Sequence, residues 1–314
     1  MSAPDVSPEL PPRAWRLILA LLGRLPQGSL SRAFGGVADV PLPRPLRRPV
    51  LGAFATAVGI DVGEAELPLE EYGSLNTFFV RRLRPGARSW PTDSAVLASP
   101  VDGILGQLGR VTEGRLLQAK GRWYSAAELL ADPGGAAPYE GGSFVTLYLS
   151  PRHYHRIHAP CGGSIARAEH VPGALLPVNR AAVAHVPNLF SRNERLIAYL
   201  DGATVGKVAV VAVGAYNVGR ISAAFDPEWQ GTGADGGTPP PSPAPSVTNR
   251  RGVAATMHRY DPPVRVAMGD EIMAFHLGST VVLLTEPGAP RLRADLRPGV
   301  PIRLGEPLTS PPDR

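Results

Sequence analysis

Cysteine is almost absent: Cys161 is the only one in 314 residues. A lone thiol closes no intramolecular disulfide and builds no cysteine-based zinc site, and it suits a reducing compartment. Long apolar runs are missing as well. No stretch approaches the roughly 20 apolar residues that a spanning helix needs. The longest near the N-terminus, Leu17–Leu22, is short for a signal-peptide core and has no small-residue cleavage site behind it. The expectation is a protein neither exported nor membrane-spanning, with peripheral membrane contact left open. There is no phosphate-binding P-loop, no HExxH, no GxSxG and no internal repeat. A formal GxGxxG, Gly231 to Gly236, lies in the Gly- and Pro-rich stretch 231–246. No strand closely precedes it and prolines follow where a helix should start, so a dinucleotide site is excluded there.

Glycine and proline are plentiful, 35 of each, which predicts a turn-rich chain. The net charge of +5 favours anionic partners: nucleic acid, an acidic membrane surface or an anionic substrate. Composition does not choose among them. From Arg13 to Leu25, Trp15, Leu17, Ile18, Leu19, Leu21 and Leu22 alternate with Arg13, Arg16 and Arg24. That pattern fits an interfacial helix or a helix packed on its own domain. A basic cluster, Arg44, Arg47 and Arg48, precedes a second predicted helix over Val50–Ile60. After Ser74 the texture turns strand-like, with Phe144–Leu149, Lys207–Val213 and Thr280–Leu284 as short runs rich in Val, Leu and Tyr. Asp102-Gly103, Pro133-Gly134-Gly135 and Cys161-Gly162-Gly163 read as turns between them. The fold class expected is α+β: an N-terminal helical region over 1–73, then a mostly antiparallel β catalytic domain over 74–314.

Three features could carry chemistry. Leu277-Gly278-Ser279-Thr280 precedes an apolar run. It reads as a turn entering a strand. It also reads as a reactive step, because a glycine carbonyl is unshielded and tolerates strained angles. The Ser279 hydroxyl could attack it to give an ester, and elimination then leads through dehydroalanine to an N-terminal pyruvoyl group. His153-Tyr154-His155-Arg156-Ile157-His158 packs three imidazoles into six residues. They could be packed structural histidines, a metal site from His153 and His155 on one strand face, or acid–base groups. The next acid, Glu169, is too distant to complete a metal site, so no metal is expected. Ser99-Pro100-Val101-Asp102-Gly103 reads as a hairpin turn or as the source of a carboxylate that orients a histidine, as in Asp–His–Ser relays.

Taken in order, these segments resemble the phosphatidylserine decarboxylase family. Its SPxDG, YHRxH and LGST segments match Ser99–Gly103, Tyr154–His158 and Leu277–Thr280. Asn76–Leu83 is similar to the family's NEFFxRxL stretch, with Thr77 in place of the acid, and Asn188–Arg195 to its NLFARNER segment. Val213-Gly214-Ala215 lies where the family has a VGA strand. The resemblance implies self-cleavage between Gly278 and Ser279, into chains 1–278 and 279–314. His158 would take the Ser279 proton and Asp102 would hold His158 in the required tautomer. The cofactor implied is a covalent pyruvoyl group made from Ser279. It would form a Schiff base with phosphatidylserine, release carbon dioxide and yield phosphatidylethanolamine, with His155 as the acid–base residue and Tyr148 helping to place the headgroup. The partners implied are phosphatidylserine in an anionic membrane and the chain's own two cleavage products as a heterodimer, with a homodimer left open and no nucleic acid. The location implied is peripheral, on the cytoplasmic face of a bacterial cell membrane. The alternative is a pyruvoyl-dependent decarboxylase of another amino acid or serine-headgroup substrate.

Overall fold

A computed structural model describes residues 38–215, 221–229, 255–276 and 279–311. The predicted helix over Arg13–Leu25, the 231–246 stretch and the Leu277-Gly278 half of the reactive step lie outside the described residues.

The body is an eight-stranded sheet in which every neighbouring pair is antiparallel. Its strands are β1 (Gly103–Arg110), β4 (Ser143–Leu149), β6 (Gly163–Val171), β7 (Arg195–Gly202), β8 (Gly206–Val213), β10 (Thr256–Val266), β12 (Ser279–Thr285) and β13 (Pro301–Ile302). They run in the order β10-β6-β7-β8-β12-β4-β1-β13. A three-stranded sheet joins β5 (Arg156–His158), β11 (Glu271–Phe275) and β9 (Ile221–Ala223). A hairpin joins β2 (Arg115–Ala119) to β3 (Arg122–Ser125).

The central strands are apolar because both faces of the sheet are covered. All seven residues of β12 are buried, as are the last six of β8. Strands covered on both faces read as continuous Val and Leu runs rather than alternating ones. The three predicted strands therefore stand where expected, in the middle of the main core. The turn signals vary. Asp102-Gly103 is a bend leading straight into β1 and not a two-residue hairpin loop. Pro133-Gly134-Gly135 starts a one-turn helix, Pro133–Ala136, whose Asp132 carboxylate accepts the Gly135 N–H at 2.8 Å. Proline is suited to the first helical turn, where its missing N–H costs nothing.

The second predicted helix spans Arg44–Val58, so it takes in the basic cluster. Pro45 sits in its first turn, and Gly59 closes it in the left-handed conformation, donating its N–H to Ala55. Leu51 and Ala55 pack against Ile60, Tyr72 and Phe78 in a small separate core. Phe78 belongs to the short helix Leu75–Phe79, so this core draws on residues on both sides of position 74. The α+β body with its large antiparallel sheet is as expected.

Candidate active site

Strand register brings the reactive segments to one end of the sheet. Strand β4 lies between β1 and β12, and its C-terminal end meets the N-terminal ends of both. Ser279 is paired with Leu149, and Tyr148 with both Ile104 and Thr280. Asp102 immediately precedes β1, so it and Ser279 flank the end of β4 about two strand spacings, ~10 Å, apart. The His153–His158 segment is tied to the same end by its backbone. The His158 N–H donates to the Pro100 carbonyl at 2.9 Å, and the Phe275 N–H donates to that of His155 at 2.9 Å. Gly103 sits so close to β4 that a Cβ there would meet the Tyr148 carbonyl oxygen at 2.8 Å.

Ser279 is fully buried, and its Oγ has no hydrogen-bond partner among the described residues. The neighbouring Thr280 Oγ1 is in the same condition. A buried hydroxyl left unpaired costs about 1–3 kcal/mol, and evenly packed sheets do not usually leave them. Ser279 heads β12, directly after the segment that carries Gly278.

His155 is also fully buried. Its Nε2 lies 3.1 Å from the Ser150 carbonyl, which can only accept, so the ring proton is on Nε2. That leaves Nδ1 as a lone pair with no partner among the described residues. The ring stacks on Phe79 with centroids 4.1 Å apart. Burial, with the charges of Arg81 and His153 behind it, holds its pKa well below the ordinary histidine value. Ser150, its partner, follows Leu149, the register partner of Ser279.

His158 lies 2.6 Å from the Gly269 carbonyl through Nδ1 and 3.0 Å from the Tyr154 hydroxyl through Nε2. The carbonyl fixes the proton on Nδ1. Burial pushes the Tyr154 hydroxyl pKa up, so it stays protonated and donates to Nε2. Burial lowers the pKa of His158, against the Gly269 carbonyl and the charge of Glu271, which pull it up. His158 is thus a neutral imidazole with its basic nitrogen turned to Tyr154. His153 is turned back on the loop: its Nδ1 accepts the Ser150 N–H at 3.0 Å, and burial and Arg152 lower its pKa to about 4.

Asp102 does not touch His158 in this structure. Arg88 claims it with two bonds, Nε to Oδ1 at 2.9 Å and Nη2 to Oδ2 at 2.5 Å, and the Leu304 N–H adds a third to Oδ1 at 2.8 Å. Arg88 also grips Glu64, at 3.0 and 2.7 Å. Burial works against the Arg88 charge, but the hydrogen bonds it donates to both carboxylates, with their negative charges, outweigh it and raise its pKa. The orienting partner assigned to His158 by the sequence is therefore replaced by a backbone carbonyl, Gly269, and the carboxylate acts on an arginine instead. The influence of Asp102 on His158 is its charge alone, one of the weaker upward pulls on that pKa. A cleft of about 300 Å³ lies beside this cluster, lined by Arg82, Arg88, Trp90, Tyr154, His158 and Glu271.

Tyr148 is placed less favourably. Residues directly opposite in an antiparallel pair share a face, so Tyr148 lies with Ile104 and Thr280, while Ser279 and Leu149 take the other face. The register gives Tyr148 no direct line to Ser279. Sequence reasoning missed Gly269, whose carbonyl has no side-chain signature, and Arg88, one of four arginines between 81 and 88 with nothing in the sequence to single it out. For Gly269 a turn signal, Gly269-Asp270, was legible, and Gly269 does adopt a φ of 93°.

An antiparallel sheet with an unpaired serine hydroxyl and a neutral histidine whose Nδ1 is unpaired among the described residues, both at one end, defines a β-rich enzyme with acid–base equipment near a strand terminus. The family model for phosphatidylserine decarboxylase matches residues 75–310. Relatives named phosphatidylserine decarboxylase proenzyme match over nearly their whole lengths. One from Anaeromyxobacter is 45% identical over 93% of this chain and 98% of its own, and one from Myxococcus xanthus 41% identical over 92% and 96%. One from the more distant Brevibacillus brevis is still 34% identical over 94% and 98%. The chain belongs to the phosphatidylserine decarboxylase family.

Proposed function

We propose that this chain is a proenzyme that cuts itself between Gly278 and Ser279 and then decarboxylates phosphatidylserine to phosphatidylethanolamine at a membrane surface. The observation that carries the reading is the fully buried, unpartnered Ser279 Oγ at the head of β12. In the self-processing step Oγ attacks the Gly278 carbonyl carbon, the peptide C–N bond breaks, and an ester forms. Loss of the Ser279 α-proton and cleavage of the ester C–O bond then leave Gly278 as a carboxylate and residue 279 as dehydroalanine. Its imine form is hydrolysed by water, with release of ammonia, and a pyruvoyl ketone remains. His158, neutral with its lone pair on Nε2, is the base for the serine proton, and the Tyr154 hydroxyl, which donates to that nitrogen, is the relay. The clamped Asp102–Arg88–Glu64 cluster beside the cleft holds that end of the sheet in place.

The residues present fit a pyruvoyl group made in situ, since the serine that would become it already sits unpaired and shielded from water. That group supplies the carbonyl that takes the substrate amine and the electron sink for the departing carboxylate. His155 is the acid–base residue of this stage: its only free ring atom, Nδ1, is the one able to exchange a proton with the substrate carbon. The dry, Phe79-stacked surroundings of His155 favour loss of charge as carbon dioxide.

Both cleavage products stay together on this reading, because β12 is hydrogen-bonded along its length to β4 on one side and β8 on the other. Membrane contact is supported by the helix Arg44–Val58, which exposes Leu46 and Val50 one turn apart, with the Arg48 side chain exposed beside them. No helix among the described residues is long and apolar enough to cross a membrane. A basic, partly apolar helix fits a peripheral protein on an anionic cytoplasmic leaflet. The deciding experiment is Ser279→Ala: it should remain a single chain and release no carbon dioxide from phosphatidylserine vesicles, while the wild type divides into two chains and releases the gas. A Ser279→Ala protein that still decarboxylates would overturn the proposal.

A further inference from the structure

Arg81 is buried, only 4% exposed, yet its Nε and Nη1 have no hydrogen-bond partner among the described residues. It follows the short helix Leu75–Phe79, its guanidinium carbon 5.5 Å from the Phe78 ring centroid. The acids whose charge it feels, Asp102 and Glu64, are both already engaged by Arg88. Its charge reaches His155, where it helps keep the imidazole neutral. Phe79, two residues before Arg81, is the ring on which His155 stacks.

A guanidinium stripped of water with donors left unpaired is among the costlier arrangements in a protein interior, and it is relieved when an anion arrives. We propose that Arg81 is the receptor for the phosphodiester of the lipid headgroup, holding it beside His155 through a charge-assisted, fork-shaped contact. This rests on the decarboxylase reading above. Two anionic groups of the substrate could meet an arginine there. The carboxylate must discharge as neutral carbon dioxide, so pairing it with a guanidinium stabilises the ground state more than the transition state and slows the step. The phosphodiester keeps its charge throughout, lies a few bonds from the reacting carbon, and offers two equivalent oxygens that match the guanidinium fork.

The test uses mature wild-type enzyme with Arg81→Gln and Arg81→Lys. Self-cleavage on a denaturing gel reports that each variant folds. Glycerol 3-phosphate is the binding probe, with glycerol as the uncharged control. Wild type should bind the phosphate and not glycerol, Arg81→Gln should weaken phosphate binding by about 10- to 100-fold, and Arg81→Lys should recover part of it. In turnover, Arg81→Gln should raise KM for phosphatidylserine far more than it lowers kcat. Against an O-alkylserine, which keeps amine and carboxylate but lacks phosphate, it should lose far less than it does against phosphatidylserine. Equal losses on both substrates, or phosphate binding untouched by Arg81→Gln, would overturn the proposal. Should Arg81→Gln fail to cleave, a wild type inhibited no better by glycerol 3-phosphate than by glycerol would overturn it as well. Failure of the decarboxylase reading looks different: the wild type stays uncut and inactive, whereas Arg81-dependent phosphate binding remains measurable.

Discussion

Replacing Arg88 with methionine isolates the cluster that the structure puts in place of a direct Asp102–His158 bond. The Arg88 and Asp102 side chains are 7% and 10% exposed, and that of Glu64 is 23% exposed. Methionine fills similar volume but leaves two largely buried carboxylates without their cation. Removing one partner of a buried pair costs about 3–5 kcal/mol, the Glu64 arm counting for less because water reaches it. At about 2–4 °C per kcal/mol, the thermal midpoint should fall by about 6–20 °C. The measurement belongs in a Ser279→Ala background, where the protein is a single chain and cleavage does not blur the transition. With Ser279 restored, the same change should slow self-cleavage about as much as Asp102→Asn, and the double variant should be little worse than either, because the two residues act as one unit. A midpoint within a degree or two of the parent, or cleavage at the parent rate, would refute the clamp and return Asp102 to a direct role on His158.

Further outcomes follow from the same geometry. His155→Ala should still divide into two chains but release no carbon dioxide, read by gel and by gas release from vesicles. Gly103→Ala puts a Cβ 2.8 Å from the Tyr148 carbonyl, an atom of the backbone that has little room to yield; it should cost about 1–3 kcal/mol and slow cleavage, checked by thermal shift and gel. Stability should fall as pH drops from neutrality. His153, His155 and His158 have folded pKa values below the ordinary one, so the unfolded chain binds more protons in that window. The loss starts near the ordinary histidine pKa and, for His153, continues to about 4. A urea midpoint equal or higher at pH 5 than at pH 7 would contradict this.

The parts of the fold legible in the sequence were those where composition has one physical cause. Strands β4, β8 and β12 are covered on both faces, so their apolar runs had little competing explanation. The helix at Arg44–Val58 was placed six residues late at its start, because its first turn holds Pro45 and a run of arginines rather than an apolar stripe. Among the site residues, the serine and histidines were found by motif, but their hydrogen bonds were not. Tautomers depend on where backbone carbonyls fall, and Gly269 and Ser150 reach His158 and His155 only after distant strands pair. Arg88 was invisible for a related reason: its partners, Glu64 and Asp102, are separated from it by loops whose paths no periodicity encodes.

The most direct test of the account is the intact mass of the purified wild-type protein under denaturing conditions. It predicts two chains divided between Gly278 and Ser279, the smaller one lighter than a serine-initiated 279–314 peptide by the mass of one ammonia, and blocked to N-terminal sequencing. A single uncut chain that nonetheless releases carbon dioxide from phosphatidylserine would contradict it.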